Sequence, residues 1–195
     1  MLEKAKADAA SYLKSKVPNR AKQAELAGHA LRLARLDSVS RTSEIDPRFA
    51  EADPEDVQDL VNMLAIVPFE SLLHKRVLLL NPDFGDSSRL VGEADADLIA
   101  GGLLVDFKTT KSSEMQGKDL DQLLGYFLLA RHRRRVEPTF PSISRLGVYY
   151  CRHGYLWAVE TKVWTDHPDF LQIEKWLFNR AGKVYETGNR PSPRE

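Results

Sequence analysis

The chain of 195 residues contains a single cysteine, Cys151. That excludes an intrachain disulfide, and equally a zinc or iron–sulfur centre built on several thiolates. Neither sign of charge prevails, because 28 Lys and Arg balance 28 Asp and Glu. A nucleic-acid partner would have to meet positive charge gathered on one face rather than a basic surface as a whole. No apolar run is long enough to span a bilayer. Residues 1–16 alternate Lys, Ala and Asp, without the apolar core of a secretory signal. No membrane association is expected, and the cytoplasm is the expected compartment. The five histidines show no ligand spacing, and no internal repeat is found.

Hydrophobic residues make up 43% of the chain and charged residues 29%, as in an ordinary globular protein with a packed core. The length suits one domain with a small helical appendage. Residues 5–36 read as two helices broken at Val17-Pro18-Asn19. The second carries Leu26, Ala30, Leu31, Leu33 and Ala34 at helical spacing, and Arg20, Arg32 and Arg35 are assigned to its solvated side. Residues 38–54 read as a loop. Asp53-Pro54-Glu55-Asp56 then opens a helix, with Asp as cap, Pro at the first position and acids in the first turn. From residue 76 the pattern changes to short apolar runs: 77–80, a strand opening at Leu90-Val91, 97–100 and 103–106. A helix over 120–135, strands over 146–151 and 155–160, and a last helix over 166–180 follow. The fold class expected is α/β or α+β, a mixed sheet with helices on its faces.

Gly101-Gly102 marks a two-residue hairpin turn, which sets the register of both strands. Ala100 then faces Leu103, Asp97 faces Asp106, and Asp95 faces Lys108. Side chains two apart share a face, so Asp95, Asp97, Asp106 and Lys108 lie together, with Ala96, Leu98, Val105 and Phe107 on the other, core-forming side. Like charges directly across a strand pair destabilise it. The Asp97–Asp106 pair therefore calls for a cation, and hard carboxylate oxygens suit Mg²⁺ or Mn²⁺. Lys108 would point at the same place, able to stabilise charge developing on phosphorus. On the next helix Leu120, Leu123, Leu124, Phe127 and Leu128 form the core stripe. Gln122 and Tyr126 share a different side, and Arg133 falls within roughly 20–40° of them. Arg131, Arg133, Arg134 and Arg135 with His132 form the densest positive cluster, more than dipole complementation requires.

Asp97, followed by Val105-Asp106-Phe107-Lys108 and by Gln122-Leu123-Leu124-Gly125-Tyr126, resembles the D…(D/E)xK…QxxxY signature of the PD-(D/E)XK phosphodiesterases, in their RecB-like and lambda-exonuclease-like branches. The resemblance covers about residues 55–160. It departs in having Ala96 where the family name carries proline. Gly92-Glu93-Ala94-Asp95 resembles the GxxD form of RecB-like enzymes, so Asp95 competes with Asp97 for the first-ligand role, with Asp97 preferred. The iron–sulfur-bearing branches are excluded by the lone cysteine. The resemblance implies a restriction-endonuclease-like core over 53–187, preceded by a helical extension (1–52) and followed by a disordered tail (188–195). It implies a Mg²⁺- or Mn²⁺-dependent nuclease with DNA as its partner. Asp97 and Asp106 would be metal ligands, with the Phe107 carbonyl as a further one and Glu70 (or Glu55 or Asp59) as the helical acid. Lys108 would support the attacking water, while Gln122 and Tyr126 orient substrate. Lys111, Arg131, Arg133 and Arg134 would contact phosphates. A catalytically silent module of the same fold, binding nucleic acid or protein, is the alternative, and a homo-oligomer or larger complex is compatible with either.

Overall fold

The computed structural model describes residues 1–15, 19–42, 45–72 and 77–185. The chain divides into two compact units, Met1–Val67 and Pro68–Glu195. This break lies later than the division after residue 52 expected from sequence. The helix opened by Asp53 packs on the helix before it and belongs to the N-terminal unit.

The N-terminal unit consists of α1 (Leu2–Leu13), α2 (Arg20–Thr42) and α3 (Pro54–Ala65). The Asp53 side chain caps α3 by accepting from the Glu55 amide at 2.8 Å, with Pro54 in the first turn. Two expectations change here. α2 runs on to Thr42, into the stretch read as loop. Its arginines are not simply solvated, since Arg32 donates to the Ala50 carbonyl (2.9 Å) and Arg35 to those of Arg48 and Glu51. Long guanidinium arms reach the otherwise unpaired carbonyls of the following segment and tie it down. Along α2, Gly28 and His29 are the buried ones among the described residues, whereas Ala30 and Ala34 of the expected stripe are exposed.

The second unit is α+β, with a five-stranded mixed sheet flanked by helices. Its elements are α4 (Phe69–Leu72), β1 (Leu78–Leu80), α5 (Asp86–Arg89), β2 (Leu98–Ala100), β3 (Leu103–Lys108), α6 (Gly117–Val136), β4 (Arg145–Tyr150), β5 (Tyr155–Glu160), α7 (Lys162–Thr165) and α8 (Phe170–Tyr185). The strands lie in the order β1-β2-β3-β4-β5. Only β3 and β4 are parallel, and α6 makes the crossover between them. Leu98 pairs with Val105, Ile99 with Leu104 and Ala100 with Leu103, the register that the glycine turn dictates. Gly101 and Gly102 both have positive φ (55° and 88°), as a two-residue turn of this hand requires. Ile99, Leu104, Leu146, Val148 and Tyr150 pack with Leu123, Phe127 and Leu128 of α6 in the principal core. Each such fully buried Leu or Phe contributes roughly 1.5–3 kcal/mol.

The strand expected at Leu90-Val91 is instead a turn after α5: Gly92 and Glu93 both take positive φ (81° and 79°), which a strand cannot accommodate. The last helix, expected over 166–180, starts only at Phe170 and runs on to Tyr185. The residue before a proline is pushed out of helical conformation, so the start falls after the turn at His167-Pro168, and the short α7 precedes that turn. α6 begins earlier than expected, at Gly117, through a capping box between Gln116 and Asp119. Trp157 and Trp164 pack against the core, and Trp176 is 63% exposed on α8. The expected tail over 188–195 lies outside the described residues. No helix among the described residues is long and apolar enough to cross a membrane.

Candidate active site

The site is built where β3 ends and α6 begins. In β3 the side chains of Leu104, Asp106 and Lys108 alternate with those of Leu103, Val105 and Phe107. Leu104 belongs to the core shared with α6, so Asp106 and Lys108 continue the helix-covered face rather than an open polar one. Asp106 is accordingly only 5% exposed. Phe107, expected in the core, is 40% exposed and packs edge-on against Tyr149 at 5.6 Å. The strand has outrun its cover there.

Asp97 comes just before β2, on the chain opposite the end of β3. Its Oδ2 accepts a hydrogen bond from the Phe107 amide at 2.5 Å. This places the carboxylate beside Asp106, as the hairpin register requires. Asp95 lies differently. The chain before β2 pairs with the continuation of β1, through Asn81 N to Asp97 O (3.0 Å), Ala96 N to Pro82 O (3.1 Å) and an isolated Asp83–Asp95 bridge. Asp95 therefore answers to Asp83, and the expected Asp95–Lys108 pairing is not part of the ladder. Among the described residues, Asp95, Asp97 and Asp106 do not bring one oxygen each within 4.8 Å of one another. Glu70 stands exposed on the short α4, while Glu55 and Asp59 belong to the other compact unit.

Lys108 organises the centre. Its Nζ lies 2.8 Å from Asp106 Oδ2, 3.6 Å from Asp119 Oδ1, and donates to Gln122 Oε1 at 2.7 Å. Gln122 Nε2 in turn donates to the Tyr126 hydroxyl at 2.7 Å. One turn of α6 thus carries the polar chain outward from the buried carboxylates. Burial pushes the Asp106 carboxyl above its usual range. Lys108 opposes that push, and the charges of Asp97 and Asp119 reinforce it. Burial alone would depress the Lys108 ammonium, but its close contact with the Asp106 carboxylate, followed by that with Asp119, holds it above the ordinary lysine range. The Tyr126 phenol is raised first by burial, against the Gln122 hydrogen bond, and further by the charges of Asp106, Asp97 and Asp95. Its accepted bond from Gln122 leaves the phenolic proton available to donate.

Asp106 Oδ2 is buried without an aligned hydrogen bond, although the Lys108 ammonium stands close enough for an ion pair. The two observations agree once direction is considered: charge is balanced, but the oxygen lone pairs are not directionally filled. A buried, hard carboxylate oxygen met only by an ammonium and standing near a second carboxylate fits a divalent cation such as Mg²⁺ or Mn²⁺.

Asp119 was not anticipated as part of this group. Its Oδ2 closes the α6 capping box on the Gln116 amide at 3.0 Å, while its other oxygen faces Lys108. The Gln116–Asp119 spacing signals a helix start, but not that the start lies over β3. The arginine cluster has internal partners. Arg131 (3.2 Å) and Arg135 (2.7 Å) clasp the buried Glu174 of α8. Arg133 pairs with Asp83 and Glu137, and Arg134 donates to the Pro138 and Phe140 carbonyls. Lys111 is exposed in the loop after β3, where His153 contacts its carbonyl at 3.0 Å.

Comparison of the chain with family models, curated proteins and solved structures returns no significant match.

Proposed function

We propose that this protein is a metal-dependent phosphodiesterase that cleaves DNA, on a restriction-endonuclease-like core. The observation that carries the reading is the unbroken contact chain Asp106–Lys108–Gln122–Tyr126, with Asp97 hydrogen-bonded across the hairpin. Two sequence signals 14 residues apart, the hairpin lysine and the helical glutamine, meet in one hydrogen bond. A fold seeking stability alone has little use for two carboxylates and an ammonium at the end of its central strand. The connectivity β1-β2-β3-α6-β4, with β4 added parallel to β3, supports the core assignment.

In this reading Asp97 and Asp106 hold Mg²⁺ or Mn²⁺, assisted by the Phe107 carbonyl. When bound, the ion supplies Lewis-acid stabilisation of phosphate charge and a lowered water pKa. Lys108, fixed between Asp106, Asp119 and Gln122, presents its ammonium to a scissile phosphate and stabilises charge in the transition state. Gln122 holds Tyr126 with its phenolic proton free to donate to a phosphate oxygen, which positions the backbone. Lys111 supplies an exposed positive charge beside the site. Arg131, Arg133 and Arg134 act on nucleic acid only where their internal contacts leave donors to spare.

A non-catalytic module that binds nucleic acid or protein is the second reading. It is favoured by the failure of Asp95, Asp97 and Asp106 to converge as a compact trio. Cleavage of linear and circular DNA in Mg²⁺ or Mn²⁺ decides between them. Wild type is expected to cut, with Lys108→Ala and Asp106→Ala each reduced by at least about a hundredfold, the scale of one lost electrostatic stabiliser. Equal activity in all three preparations, or none in any, refutes the catalytic reading.

A further inference from the structure

We propose that the N-terminal helical unit holds a divalent transition metal of the zinc class between Asp8 of α1 and Glu25 and His29 of α2. Glu25 and His29 are four residues apart and so share one side of the helix. Asp8 reaches them from α1, its Oδ2 standing 2.8 Å from His29 Nε2. One ligand atom from each of the three residues lies within 4.8 Å of the others.

The state of His29 points beyond an internal ion pair. The residue is 7% exposed, yet its Nδ1 has no hydrogen-bond partner among the described residues. Buried polar atoms are nearly always satisfied, and a helix seeking only packing would place an aliphatic side chain here. Beside the cluster, His29 and Glu25 line a cavity of about 360 Å³ with Lys4, Gly28, Arg32 and Val57; Asp8 is not part of its lining, so it offers room for the waters that complete an ion's shell. His29 Nε2 already faces the Asp8 carboxylate, which makes it the nitrogen placed to ligate. Lys4 is the resident counter-charge, 3.7 Å from Glu25 Oε1 and on an exposed, flexible arm. That is a contact a divalent ion can displace.

One imidazole nitrogen with two carboxylate oxygens suits Zn²⁺ or Co²⁺. Mg²⁺ prefers an all-oxygen shell. An ion here would cross-link α1 to α2 and make the unit's stability depend on metal. The inference stands apart from the nuclease reading, which places its ion in the other unit.

The test is Co²⁺ titration of the full chain, read by proton NMR for a far-shifted, exchangeable imidazole N–H and by the dissociation constant. Wild type is expected to give one such resonance. Glu25→Gln and Asp8→Asn are expected to weaken binding at least about tenfold, since even outer-shell losses act on that scale. His29→Gln abolishes the resonance, and Asp106→Asn leaves it in place. Circular dichroism checks that the conservative variants remain helical. The proposal is overturned if wild type shows no shifted imidazole resonance. It is also overturned if the resonance persists undiminished in both carboxylate variants, or if Asp106→Asn removes it.

Discussion

Lys108→Met keeps the length of the side chain and removes its charge, leaving Asp106 and Asp119 without their shared cation. At an effective dielectric of about 20, a charge pair at 2.8 Å is attractive by about 6 kcal/mol and one at 3.6 Å by about 5 kcal/mol. Much of this offsets the cost of drying the three groups. What remains on breaking a buried pair is typically about 3–5 kcal/mol, and Lys108, with its side chain 21% exposed, warrants the lower end. Asp106 escapes part of the penalty by taking up a proton. Its carboxyl is already raised, chiefly by burial, and rises further once the ammonium is gone. The folded variant then binds a proton that the unfolded chain has released, so its stability falls as pH rises. The wild-type advantage should be largest near pH 8 and shrink toward pH 5. Mn²⁺ should stabilise the variant more than wild type, because it supplies the missing positive charge without displacing a lysine. Urea denaturation followed by tryptophan fluorescence reads this directly, since Trp157, Trp164 and Trp176 all belong to the sheet-bearing unit. If Lys108→Met is as stable as wild type at pH 8 without metal, the lysine is not the counter-charge of the buried carboxylates.

Three further outcomes follow from the geometry. Glu174→Gln removes the buried charge clasped by Arg131 and Arg135. The half-exposed arginines can regain water, so a loss of about 1–3 kcal/mol in urea midpoint analysis is expected, below the full cost of a broken buried pair. Gly147→Ala puts a methyl group 2.7 Å from the Trp157 carbonyl on the neighbouring strand, and should cost about 1–3 kcal/mol by thermal melting. Wild-type melting would refute so close an approach of β4 to β5. The Cys151 thiol is pushed up by burial and then by the charge of Asp97. Iodoacetamide should therefore alkylate it slowly at pH 8, with the rate still climbing where a free thiol has levelled off. A rate at pH 8 equal to that of free cysteine contradicts its surroundings.

Much of the sheet was legible because its signals are local. A Gly-Gly turn has one preferred hairpin geometry, and it set the pairing of Leu98 with Val105, which leaves Asp97 at the end of β3 where it accepts from the Phe107 amide. Asp53 and Pro54 marked a helix start for equally local reasons. Leu90-Val91 misled because apolar residues were read without the backbone of Gly92 and Glu93, whose positive φ closes a turn. The arginines after residue 130 read as a phosphate-binding patch because their acidic partners, Asp83 and Glu174, are some 50 and 40 residues distant.

Local spacing along the chain was enough for the hairpin, the alternation that puts Asp106 and Lys108 on one side, and the helical spacing of Gln122 and Tyr126. Each follows from strand or helix periodicity over a few residues. That α6 lays its first turns over the end of β3 is a matter of packing between distant elements. That packing brings Asp119 and Gln122 to Lys108. Elsewhere the continuation of β1 pairs Asp83 with Asp95, and within the N-terminal unit α1 on α2 sets His29 beside Asp8. Those contacts join residues distant along the chain, and what selects them is the burial of apolar surface between elements, which no local spacing encodes.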